Sequence, residues 1–110
     1  GGKMWRAKYK RVHCADGFNM SVQAGPHSYS DPKDDIGPYV SVEVGFPSEE
    51  EGLLMLYAEN PDEPTETVYA YTPSRVVLMV LAKHGGIVSG EVPPGIPRIL
   101  AKQIASSRGS

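Results

Sequence analysis

Glycine and proline placement constrains this chain more than any other feature. Twelve glycines and ten prolines among 110 residues are gathered into discrete stretches rather than scattered. Glycine opens left-handed backbone and proline removes an amide donor, so each cluster ends whatever element precedes it. The pattern predicts many turns and short strands rather than disorder. A chain this long supports one hydrophobic core, which gives a single domain over residues 4–106. Gly1-Gly2 and Gly109-Ser110 read as cloning remnants and stay outside the fold argument.

Between the clusters the hydrophobic period is two. Met4 to Cys14 interleaves Trp5, Ala7 and Tyr9 with Arg6, Lys8 and Lys10, as in an edge strand with one solvated face. Asp16-Gly17 is hairpin-turn chemistry. Phe18, Met20, Val22 and Ala24 then alternate with Asn19, Ser21 and Gln23 as a half-buried strand. Residues 25–38 hold Pro26, Pro32, Gly37 and Pro38 with three aspartates and keep no period, so they form a long loop of the kind often used for function. Tyr39 to Phe46 alternates again, with Val40, Val42, Val44 and Phe46 on one side. Leu53 to Tyr57 is a continuous apolar run that suggests a buried strand, and Thr67 to Tyr71 supplies the next.

One stretch reads as a strong helix. Thr72 suits the N-cap and Pro73 the first helical position, where its missing N–H costs nothing. Val76, Val77, Leu78, Met79, Val80 and Leu81 predict burial on more than one side. Lys83 and His84 complement the C-terminal dipole, and Gly85 provides the stop. Pro97 is expected to open a second, shorter helix running to about Ala105. The resulting fold class is α+β: an antiparallel sheet of about five strands packed against one main helix, with a short C-terminal helix.

Composition narrows the function classes. A net charge of −2 gives no general attraction for nucleic acid or an anionic membrane. A lone cysteine, Cys14, excludes an intrachain disulfide and suits a reducing, cytoplasmic setting. His13 and Cys14 are adjacent and point to opposite faces of a strand, and no ligand pair has zinc-site spacing, so neither a metal nor a cofactor is expected. Asp31, Asp34, Asp35 and Glu43 read as solvated carboxylates rather than an acid–base set. Gly85-Gly86 follows a helix, whereas phosphate-cradling glycines precede one. Nothing here is a catalytic signature. Five tyrosines, Tyr29, Tyr39, Tyr57, Tyr69 and Tyr71, exceed what a small sheet buries readily and point to a homo-oligomer.

The feature that suggests a ligand lies at the helix starts. Arg75 and Arg98 each fall in an expected first turn, where a cation opposes the helix dipole. An anion held by Arg75, the Thr72 and Ser74 hydroxyls and the free amides would reverse that penalty. Tyr71 just upstream and Tyr29 in the long loop would stack on a flat ring.

Cys14-Ala15-Asp16-Gly17-Phe18-Asn19-Met20-Ser21-Val22-Gln23-Ala24 and Gly37-Pro38-Tyr39, followed by Val42-Glu43-Val44-Gly45-Phe46-Pro47-Ser48, resemble segments of small proteins encoded in phages, prophages and other mobile elements. Tyr57-Ala58-Glu59, Thr67-Val68-Tyr69 and Lys83-His84-Gly85-Gly86 extend the resemblance from Cys14 to Gly86. The chain is also similar to the Thoeris anti-defence sponges, phage proteins that sequester a cyclic ADP-ribose signal without chemistry. Lys33 stands where that family would carry arginine, and the resemblance implies that it is a phosphate contact. The resemblance implies a non-enzymatic binding protein for a nucleotide-like anion, and the alternative is a structural or protein–protein interaction module, with a small hydrolase third.

Overall fold

The computed structural model describes residues 8–102. Its strands are β1 (Val12–Cys14), β2 (Asn19–Gln23), β3 (Ser41–Gly45), β4 (Val68–Pro73) and β5 (Ile87–Ser89), with one helix, α1 (Ser74–Lys83), between β4 and β5. They form one sheet in the order β4-β3-β2-β1-β5, with antiparallel pairing throughout. This is the α+β architecture the sequence predicts.

Met20, Val22, Val42 and Val44 alternate on one sheet face and are wholly buried. Val77, Val80 and Leu81 of α1 join them in a common core. Burying each such side chain contributes about 1.5–3 kcal/mol, which is what holds a helix of this length in place. The helix buries Ser74, Val77, Val80 and Leu81, a single stripe at helical spacing. Burial on several sides is therefore corrected, and Met79 is half exposed. The helix ends as predicted. The Gly86 amide donates to Leu81 (2.8 Å) and the Gly85 amide to Ala82 (3.1 Å), both glycines having positive φ.

Other expectations need correction. β1 is not an edge strand, because β5 pairs with its free side; Met4 to Ala7 lie outside the described residues. Lys8 and Tyr9 do not join the ladder, since both amides donate to the Gln23 side chain (2.9 and 3.0 Å). Leu53 to Tyr57 is no strand: a turn leads into a 3₁₀ turn at Met55–Tyr57, with Leu54 buried and Leu56 exposed. A continuous apolar run carries no period that separates the two outcomes. Val40 is exposed and Tyr39 buried, the reverse of the expected faces, because β3 begins only at Ser41. Pro97 opens no helix; residues 97–100 are irregular, helical geometry starts at Ala101, and residues 103–110 lie outside the described chain.

Candidate functional site

The long loop and β4 meet at the most unusual backbone of the sheet. Val42 pairs with Thr72 and Val44 with Tyr69, so Glu43 alone faces both Ala70 and Tyr71. That β-bulge puts Tyr71 at φ 50, a left-handed conformation costly for a side chain of its size. The Tyr71 amide donates to the Tyr29 carbonyl (3.0 Å), which ties the bulge to the loop. The Tyr29 amide in turn donates to Glu43 Oε1 (2.9 Å). The two tyrosine rings thus sit 6.0 Å apart, tilted by 44°, each nearly half exposed.

Lys33 completes the cluster. Its ammonium lies 5.2 Å from the Tyr71 ring centre and 5.9 Å from that of Tyr29, while donating to the Ser28 carbonyl at 2.9 Å. Cation–π attraction holds the charge between the rings. The loop that delivers it is anchored inside the protein: the buried Ser30 hydroxyl bonds to the Gly25 amide and carbonyl, and the Tyr39 hydroxyl donates to the Asp34 carbonyl.

Three of the seven sequence-derived site residues therefore converge, Tyr29, Lys33 and Tyr71. The other four do not join them as an anion cradle. Thr72 is buried in β4 and its hydroxyl donates to the Tyr69 carbonyl (3.1 Å), so it caps nothing; the N-cap is Pro73. Ser74 is buried too, donating to the Tyr39 carbonyl at 2.7 Å. Both hydroxyls serve the backbone. Arg75 stands in the first turn of α1, exposed and without a partner among the described residues. Arg98 lies in no helix and lines a separate open cleft of about 450 Å³ with Tyr9, Glu91 and Pro93. A second cleft, about 300 Å³, is bounded by Lys8, Gln23, Gly25, His27 and Asp35 and is bridged by the Lys8–Asp35 ion pair. Neither cleft includes the tyrosine pair.

Sequence reasoning missed two groups. Glu43 reads as a solvated carboxylate but is nine-tenths buried beneath the bulge. His84 reads only as a partner of the C-terminal helix dipole, yet it is buried, stacked on Phe18 at 4.0 Å, with Nδ1 2.6 Å from Asp16 and Nε2 2.6 Å from Glu51. Burial opposes the charged ring, but the Glu51 and Asp16 bonds outweigh it and raise the His84 pKa above the ordinary histidine value. Burial also opposes charge on Glu51; Lys83, the Leu53 amide and His84 prevail and lower its pKa. A carboxylate on each side of the ring favours the imidazolium, in which both ring nitrogens donate. The only signal for this in sequence was that Asp16, Glu51 and His84 flank turns, and nothing there gives their proximity.

Cys14 is buried and pushed up to about 11, first by burial and then by the Asp16 charge, so it is a thiol at neutral pH and a poor nucleophile. Among the described residues no three His, Cys, Asp or Glu side chains are arranged to hold a metal ion, and no helix is long and apolar enough to cross a membrane.

The described residues form a one-sheet α+β domain that presents Tyr29 and the strained Tyr71 around Lys33. Comparison with family models, curated proteins and solved structures finds no match for the chain.

Proposed function

We propose that this is a non-enzymatic binding protein of a mobile genetic element, acting in the cytoplasm, that sequesters a flat, anionic, nucleotide-like small molecule at Tyr29, Lys33 and Tyr71. One observation carries the reading: a β-bulge holds Tyr71 at φ 50 so that its ring, Tyr29 and the Lys33 ammonium converge at the surface. Backbone strain of this kind costs about 1–3 kcal/mol and collects where a ligand is clamped. Stacking a ring on a tyrosine is worth roughly 1–3 kcal/mol, and the ammonium answers a phosphate. These groups bind and orient; they do not break bonds. The resemblance to sequestering proteins of mobile elements points the same way. A thermal-shift screen of nucleotides and cyclic nucleotides, followed by chromatography of the recovered ligand, tests it. A stabilising nucleotide returned unchanged is expected; a recovered product, or no shift with any nucleotide, overturns the proposal.

A second reading is a protein-interaction module, favoured by Ile36 and Val40, which are 78% and 67% exposed at the far end of the loop. The five-tyrosine argument for a homo-oligomer loses force, because Tyr39 and Tyr69 are fully inside. Light scattering that gives a dimer, reverting to monomer in Ile36→Ser/Val40→Ser, supports this second reading; a monomer throughout removes it.

A further inference from the structure

Among the described residues the Glu43 carboxylate makes a single hydrogen bond. The carboxylate is 9% exposed, and one oxygen takes the Tyr29 amide. Its cross-strand neighbour is Gln23, and an amide there would ordinarily donate to it. Gln23 has nothing left to give. Its Nε2 donates to the Tyr9 carbonyl (2.7 Å) and to Ser21 Oγ (3.0 Å), while its Oε1 accepts from Lys8 and Tyr9. On the other side the bulge replaces one facing residue with two, and the Tyr71 amide is already bound to Tyr29. The Lys33 ammonium bonds to Ser28 and forms no ion pair with Glu43. Among the described residues no hydrogen bond to Glu43 Oε2 is made. A buried carboxylate oxygen without a hydrogen bond is an open acceptor, and nothing among the described residues fills it.

We infer that Glu43 is the specificity-determining residue of the tyrosine–lysine site, selecting ligands whose flat ring carries an N–H donor as well as an anionic group. The inference rests on the binding reading above and adds a requirement to it. The tyrosines accept any flat ring and Lys33 any anion, so neither discriminates. A site built around a buried acceptor rejects the analogue that lacks the donor, because that acceptor is again left unpaired.

The probe pair is adenosine 5′-monophosphate and purine riboside 5′-monophosphate, which differ only in the exocyclic amine. Calorimetric titration of the whole chain is expected to show the amine-bearing nucleotide bound at least about 10-fold more tightly. Glu43→Gln keeps a carbonyl for the Tyr29 amide but turns a donor outward, so the preference should collapse to within about 2-fold; Glu43→Ala should do the same. Circular dichroism checks that each variant is folded, and the isosteric Gln variant carries the test should the Ala variant unfold. Equal affinity of the two nucleotides for the native chain, or a preference surviving in both variants, overturns the inference. If the nucleotides are indistinguishable but Tyr71→Ala abolishes binding, the binding reading stands and Glu43 selectivity falls. If neither nucleotide binds, both fall.

Discussion

Replacing His84 with alanine removes the one cation that three segments of the chain share. His84 ends α1, Asp16 belongs to the β1–β2 turn, and Glu51 to the segment before the 3₁₀ turn. Glu51 is 2% exposed, so His84→Ala leaves a buried carboxylate with only Lys83 (2.8 Å, half exposed) and the Leu53 amide. Breaking a buried ion pair by deleting one partner costs about 3–5 kcal/mol, and the surviving Lys83 places this case at the low end. The lost stacking on Phe18 adds about 1 kcal/mol. The Asp16 contact is half solvated, and water replaces it. A loss of about 3–4 kcal/mol is expected, a fall in melting temperature on the order of 15 °C. Urea unfolding followed by circular dichroism measures it. The double variant His84→Ala/Glu51→Gln should lose at least about 1 kcal/mol less than the two singles summed, because no orphaned charge remains. A His84→Ala cost below about 1 kcal/mol, or strict additivity, would refute the clamp. The pH dependence follows from the same geometry. The raised His84 pKa gives stability that is complete below about 6.5 and lost as pH climbs through the folded value. The lowered Asp16 and Glu51 pKa values give stability present above about 4 and lost in acid. The cluster therefore contributes most between about pH 5 and 6.5.

Three other changes have defined outcomes. Arg75→Glu should raise the melting temperature of the ligand-free protein, gaining about 0.3–1 kcal/mol, since α1 has no acid in its first turn and Arg75 has no partner among the described residues to lose; a loss of stability would contradict that. Cys14 should resist thiol reagents at neutral pH until the protein unfolds, and Cys14→Ser should cost about 1–3 kcal/mol in urea titration; rapid native labelling would contradict its burial. Gly90→Ala should cost about 2–3 kcal/mol, because φ is +103° and the new methyl would lie 2.2 Å from the Arg11 carbonyl; stability within about 0.5 kcal/mol of the native chain would show that the backbone there yields.

How much of this was legible in the sequence depended on whether the signal was local. The Asp16-Gly17 turn, the apolar face of Met20, Val22, Val42 and Val44 and the α1 stop at Gly85-Gly86 are set by neighbouring residues and match the reading, whereas β2 is buried on both faces rather than one, and Tyr39 and Val40 exchange theirs. Leu53 to Tyr57 and the Pro97 helix failed because an apolar run and a lone proline fit more than one local structure. Thr72 and Ser74 have cap chemistry, but β4 runs straight into α1, and buried carbonyls took both hydroxyls. Tyr29, Lys33 and Tyr71 were each visible as residues. Their convergence needed a bulge that only the β3–β4 register reveals. Glu43 and His84 were hidden for the same reason: what makes each unusual is burial among residues far along the chain.

Binding at the tyrosine–lysine cluster is the central claim, and one calorimetric series tests it directly. The nucleotide that most stabilises the chain is titrated into the native protein, Tyr71→Phe and Tyr71→Ala, with the ligand recovered and chromatographed afterwards. Tyr71→Phe keeps the ring and should bind within about 3-fold of native, while Tyr71→Ala should weaken binding by roughly 10-fold or more, with ligand returned intact. Native affinity in folded Tyr71→Ala, or a converted ligand, would contradict the account.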